Sequence, residues 1–319
     1  MPLLRDDPDF LEAVATAVAE KSGIPLEQVE KDYWLTEALR ALASYGESKH
    51  LPILLKGGTS LAKAFSLIKR FSEDADMVVI FGDQGKAARE AHLKGLISAV
   101  EEGTTLTAVN DPFQAETGVT RVVHLDYASS SSEATVLPRI KVELHTIGGS
   151  FPHAPRQLTS LIAEHWAEVD NAGEPDFEEL APFEIAVLDP CRTLVEKLVL
   201  LHEAHTRTDE TAKHRRIVTV RHYYDVYCLI GNESVMDALA EHNVAHLARD
   251  VDTHSRDADY DSARRPSGGF AESPAFAGSV IKGVRDAYDR TVRELLWPGE
   301  AYPTIDECRE RVRSMARSL

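Results

Sequence analysis

Residues 51–81 constrain this chain more than any other stretch. A short apolar run at 53–55 ends at Lys56-Gly57-Gly58-Thr59-Ser60. Further on, Phe71-Ser72-Glu73-Asp74-Ala75-Asp76 leads into a second apolar run, Met77-Val78-Val79-Ile80-Phe81. The pattern predicts strand, glycine turn, helix, loop, strand. Paired glycines remove the Cβ atoms that would hold a phosphate off the backbone, and N–H groups opening a helix favour an anion. Asp74 and Asp76 stand two apart in an extended segment, which turns both carboxylates to one side. Two close carboxylates stay ionised together only when a cation neutralises them, and hard oxygen ligands suit Mg²⁺ or Mn²⁺. A phosphate cradle followed by a metal-holding pair of acids implies chemistry on a nucleotide. Either half alone would fit an ordinary strand–turn–helix with surface acids; the two in order, bracketed by apolar strands, favour catalysis. The Gly-x-x-x-x-Gly-Lys-[Ser/Thr] spacing of a P-loop is absent.

The 319 residues, 43% hydrophobic and 27% charged, suffice for a globular fold of two lobes. No apolar run nears the ~20 residues of a membrane span, and the first residues lack the apolar core of a signal peptide. Cys191, Cys228 and Cys308 are far apart and odd in number, matching neither a disulfide framework nor a zinc motif, so a reducing cytoplasm is expected. A net charge of −17 repels polyanions, so action on RNA would require Lys and Arg gathered round one groove.

Hydrophobic spacing predicts helices at 7–22 and 26–45, broken by Ser22-Gly23-Ile24-Pro25, and a helix at 84–102. Strands are expected at 106–109 and 120–127, with Asp111-Pro112 between them, and at 139–145. In the last of these Ile140, Val142 and Leu144 share one face, while Lys141, Glu143 and His145 share the other. Segment 148–183, with Gly148-Gly149 and a helix at 155–168, is expected to connect two lobes; 183–188 reads as a strand, and 190–319 as helical with a small-residue break at 268–278. Asp189 and Pro190 stand where a cap and a first helical residue belong. Lys197 lies beside the stripe of Leu194, Leu198 and Leu201.

The runs Lys56-Gly57-Gly58-Thr59-Ser60-Leu61 and Arg70-Phe71-Ser72-Glu73-Asp74-x-Asp76 together resemble the signature of the nucleotidyltransferase superfamily. Their wording is similar to the AbiEii/AbiGii toxin branch, which includes the MenT-type toxins. Glu196-Lys197-Leu198 and Arg221-His222-Tyr223-Tyr224-Asp225 are similar to that family's helical Glu-Lys-Leu and Arg-[His/Asp]-x-x-Asp. Lys31-Asp32-Tyr33-Trp34 has a counterpart there too; its residues read as aromatic packing of the N-terminal helices on the sheet.

The resemblance spans most of the chain and implies an α/β (α+β) fold. A nucleotidyltransferase-type mixed sheet core with N-terminal helices would occupy residues 1–185, and a helical C-terminal lobe, 186–319, would complete the active-site cleft. It implies transfer of NMP from an NTP co-substrate to an acceptor, releasing pyrophosphate. Asp74, Asp76 and Glu143 would hold Mg²⁺ or Mn²⁺. Lys56, Gly57, Gly58, Thr59, Ser60 and Ser72 would line the phosphates. Lys197 would contact the triphosphate, with Asp225 orienting it or joining the same polar cluster, and Arg221, beside Arg216 and His222, would hold an RNA backbone or the nucleotide tail. The implied acceptor is the 3′ end of tRNA, and the implied role is a cytoplasmic, growth-inhibiting toxin paired with a cognate antitoxin. Alternatives are nucleotidylation of a protein hydroxyl or of a small molecule such as an aminoglycoside, or a catalytically inactive nucleotide-binding regulator. Ser72 adjoins the acids, so a phosphate on it would repel nucleotide; that makes it a candidate control point.

Overall fold

The structure, a computed structural model, describes residues 2–109, 115–129, 137–146, 149–169, 176–209, 211–257 and 264–319. The Asp111-Pro112 connection and Gly148 lie outside the described residues. The chain divides into two compact units. One comprises Met1–Ala64, Phe71–Thr146 and His153–Val187; the other comprises Phe65–Arg70, Ile147–Pro152 and Leu188–Leu319.

In the first unit, helix α1 (Pro8–Ser22) starts where its sequence chemistry puts it. Asp7 accepts from the Phe10 N–H at 3.1 Å, and Pro8 fills a position whose N–H needs no partner. The helix ends at Gly23, whose φ of 73° is rarely open to a residue with a Cβ. Helix α2 (Leu26–Ser48) buries Val29, Leu35, Ala38, Leu39 and Leu42. Strand β1 (Ile53–Lys56) leads into α3 (Gly57–Thr59), which runs on as a π-helical turn over Ser60–Ala64. Then come β2 (Asp74–Val79), α4 (Lys86–Gly103), β3 (Thr107–Val109), β4 (Ala115–Glu116), β5 (Thr120–Asp126), β6 (Arg139–His145), β7 (His153–Leu158), α5 (Leu161–Glu164) and β8 (Phe183–Leu188).

The strands form one mixed sheet in the order β3-β5-β6-β2-β1-β8-β7, with β4 alongside β5. Strand β2 runs antiparallel to β1 and parallel to β6; β1 is parallel to β8. Helix α2 packs on β2, β6 and α4. Alternation sorts the two faces: Ile140, Val142 and Leu144 of β6 are buried, while Lys141, Glu143 and His145 on the opposite face are half-buried.

Three expectations need correction. Strand β2 begins at Asp74 rather than at Met77, because pairing with β6 carries the ladder through the acids themselves. The span 155–168 is not one helix: Pro155 sits in β7, the last strand of the sheet, where a missing N–H is tolerated. Helix α5 is a single turn capped by Ser160, which accepts from the Ala163 N–H at 3.1 Å. Most of 148–183 therefore builds the sheet unit rather than linking lobes.

The second unit is helical: α6 (Pro190–Thr206), α7 (Ala212–Val218), α8 (Arg221–Ile230), α9 (Glu233–His242), α10 (Val244–Asp257), α11 (Lys282–Leu295) and α12 (Ile305–Ser314). Asp189 caps α6 by accepting from the Cys191 N–H at 2.8 Å, and Thr304 with Glu307 forms a reciprocal capping box on α12. Two earlier segments are tied into this unit. Arg192, buried, donates to the Phe151 carbonyl at 3.3 Å. The Lys69 N–H donates to the Tyr224 hydroxyl at 3.2 Å, and the Lys69 carbonyl accepts from the Trp297 N–H at 3.1 Å.

Candidate active site

Strand register builds the site in the sheet unit. Asp76 stands opposite Lys56 of β1 on one side and Glu143 of β6 on the other. Asp74 stands opposite Lys141, and Val78 opposite His145. Cross-strand partners share a face, so Lys56, Asp74, Asp76, Lys141, Glu143 and His145 line one side of the sheet where β1, β2 and β6 meet. Glu143 divides its oxygens: Oε1 is paired with the Lys141 ammonium, and Oε2 lies 3.4 Å from His145 Nε2. The His145 imidazole, and then Lys141, hold the Glu143 carboxyl down at about 2 against the opposing effect of burial. Burial works against the charge of Lys141, but Glu143, Asp74 and Asp76 together raise its pKa.

The glycine turn is fitted to this row. Gly57 has φ 74°, and a Cβ on it would run into the Asp76 carboxylate, with Cγ at 3.2 Å and Cβ at 3.3 Å. The position therefore requires glycine twice over, for its backbone angle and for its space. Thr59 and Ser60 are buried, and their hydroxyls face the protein. Thr59 Oγ1 donates to the Asp74 carbonyl at 2.5 Å and lies 3.1 Å from Ser72 Oγ; Ser60 Oγ donates to the Gly57 carbonyl at 2.9 Å. Thr59 and Ser72 thus brace the start of β2. Phosphate contact at this turn would come from backbone N–H groups, which Gly57 and the half-buried Gly58 leave uncovered by side chains.

Helix α2 supports the same element from behind. Asp32 accepts from Lys63 Nζ at 2.5 Å, on the π-helical turn, and from the Leu161 N–H at 2.7 Å. Lys31 donates to Glu73 at 2.9 Å, next to Asp74. Tyr33 and Trp34 pack edge to face, and Trp34 stacks on Tyr127 of the sheet unit at 5.9 Å. The Lys31-Asp32-Tyr33-Trp34 patch therefore does more than pack: its two charged residues pair with both flanks of the signature.

In the helical unit a second constellation surrounds Asp225. Arg70 grips it with a two-pronged fork, Nε to Oδ1 at 2.7 Å and Nη2 to Oδ2 at 2.8 Å. Lys197 Nζ donates to Oδ2 at 2.8 Å and lies 3.2 Å from His222 Nδ1. An ammonium only donates, so His222 Nδ1 accepts and the imidazole proton sits on Nε2. All four groups are largely out of water. Burial, then the Lys197 charge, pushes His222 down to about 3. Burial likewise lowers Lys197, while Arg70 and Lys197 hold Asp225 well below the usual carboxylate range despite its burial. Asp225 accepts from Lys197 and equally holds Arg70 of the signature loop, a pairing across 155 residues that no linear spacing announces. Arg221 opens α8 half-buried. Arg216 donates to the carbonyls of Ala204 and Arg207, tying α7 to α6.

The family model described as nucleotidyl transferase AbiEii toxin, type IV TA system, matches residues 38–307. This chain belongs to the AbiEii family of nucleotidyltransferases. Its fold is similar to that of MenT4, a nucleotidyltransferase toxin from Mycobacterium tuberculosis H37Rv, with a TM-score of 0.55 at 13% identity over 95% of this chain and 88% of that one. A looser likeness, TM-score 0.42 at 17% identity, covers 88% of this chain and 90% of an H. pylori protein described as a candidate nucleotidyltransferase. No curated protein sequence matches.

The donor set of this AbiEii protein fits a divalent cation. Ligand atoms of Asp76, Glu143 and His145 lie within 4.8 Å of one another, and Asp74 sits two residues away on the same face. His145 and Lys141 alternate with Glu143 along β6, so their place on the acid face was visible in the sequence, although their roles were not. The cysteines stand apart from this chemistry: burial pushes Cys228 up to about 11 and Cys308 up to about 12, leaving both as thiols at neutral pH. Among the described residues no helix is long and apolar enough to cross a membrane.

Proposed function

We propose that this AbiEii nucleotidyltransferase transfers NMP from an NTP to the 3′ end of tRNA and thereby arrests growth until a cognate antitoxin intervenes. The observation that carries the reading is the polar row Lys56–Asp76–Glu143, with Gly57 pressed against Asp76. Backbone N–H groups at 57–59 receive the phosphates, and Lys56 offers a cation on the same face. Asp74, Asp76 and Glu143 would hold Mg²⁺ or Mn²⁺, and the bound ion would neutralise the carboxylates and polarise the reacting oxygens. Glu143 is ionised at any physiological pH, as a ligand must be. Lys197 is assigned to the triphosphate as a point charge, held in place by Asp225 and His222. Arg221 is assigned to the nucleotide tail or the RNA backbone. No covalent enzyme intermediate is required, because positioning and charge neutralisation carry the transfer.

The test is incubation of the protein with α-labelled NTPs and tRNA whose 3′ end is either intact or oxidised with periodate. Label on intact tRNA alone supports the reading. Label on both RNAs, or on a protein or aminoglycoside instead, moves the acceptor elsewhere.

A further inference from the structure

We infer that His145 is a direct ligand of the active-site cation and that it biases the site towards Mn²⁺ over Mg²⁺. The inference rests on the proposed metal-dependent transfer and goes beyond it by adding an imidazole to the carboxylate ligands and by assigning the metal preference. Asp76, Glu143 and His145 offer two carboxylates and an imidazole whose ligand atoms lie within 4.8 Å of one another. Two ligands on opposite sides of one ion at about 2.1 Å each stand about 4.2 Å apart, so a closure of a few tenths of an ångström brings this set into a single coordination sphere. The arrangement is imposed by the sheet. Glu143 and His145 alternate on β6, Asp76 faces Glu143 across the parallel ladder, and Glu143 Oε2 lies 3.4 Å from His145 Nε2.

The imidazole weighs against Mg²⁺. Magnesium dehydrates reluctantly and keeps to oxygen ligands, whereas Mn²⁺, which also favours carboxylates, takes an imidazole nitrogen into its sphere more readily. Lys141 stays on Glu143 Oε1 and offsets one carboxylate charge for either ion. Manganese accepts the same oxygens and gains from the nitrogen.

The experiment uses metal-stripped full-length protein titrated with Mn²⁺ alone and with Mn²⁺ against Mg²⁺, read by the free-ion EPR signal. Pulsed EPR of the bound ion then detects directly coordinated nitrogen. We expect a ¹⁴N coupling in the wild type that His145→Gln removes. We also expect that substitution to reduce the Mn²⁺-over-Mg²⁺ preference by at least about tenfold. Bound Mn²⁺ that depends on Asp76 but shows no ¹⁴N coupling and the same preference in His145→Gln overturns the inference while leaving the transfer reading standing. Absence of Mn²⁺ binding with or without NTP overturns the inference, and absence of Mg²⁺-supported transfer as well overturns the reading it rests on.

Discussion

Lys197 and Asp225 carry the sharpest test of residue roles, because the charges around them do not balance. Arg70 and Lys197 supply two cations to one buried carboxylate. Lys197→Met leaves a neutral Arg70–Asp225 pair, so urea unfolding should shift by no more than about 1 kcal/mol, while NTP use is lost. Asp225→Ala strands two buried cations and should cost about 3–5 kcal/mol. Equal destabilisation by the two would contradict the charge assignment. His222 adds a pH dependence. Its folded pKa is about 3, against an ordinary 6.5. Below 6.5 the unfolded chain therefore holds a proton that the folded one refuses, and stability falls with pH by at most about 1.4 kcal/mol per unit. His222→Gln should gain on the wild type between pH 7 and pH 5, measured as the difference in urea midpoints. At Gly57, alanine meets both a φ of 74° and the Asp76 carboxylate. Its penalty should exceed the ~1–2 kcal/mol of a left-handed residue alone.

The elements show how far the sequence could be read and where it stopped. Capping residues and periodicity located α1, α2 and α6, because those signals are local: Asp7, Gly23 and Asp189 act within a few residues of themselves. The alternation of β6 placed Glu143 on the acid face for the same reason. What depends on partners far along the chain was not legible. Nothing near Pro155 says that β8 would take residues 153–158 as an edge strand, nor that β6 would extend β2 back to Asp74. Asp32 looked like part of an aromatic patch, yet its side chain joins Lys63 and the α5 backbone. Asp32 is buried and the Lys63 side chain is only 9% exposed, whereas Glu73 opposite Lys31 is 45% exposed. Double-mutant cycles should therefore find the Asp32–Lys63 coupling the larger, with the Lys31–Glu73 pair under about 1 kcal/mol.

Across the molecule, the charge of −17 sets the terms on which RNA could be handled. Every phosphate contact must come from local cations, so acceptor binding should weaken steeply and linearly with log salt. NTP use at the metal face should respond less. On the proposed reading toxicity is catalytic, so growth arrest on expression should vanish with Asp76→Asn. The central claim is that the face built by Lys56, Gly57, Asp76 and Glu143 transfers NMP. The most direct measurement follows pyrophosphate release and α-label on tRNA in the same reaction, for wild type and for Asp76→Asn shown to be folded. The account predicts one pyrophosphate per nucleotide added in the wild type and neither product in the variant. Labelled tRNA formed at the wild-type rate by Asp76→Asn would contradict it.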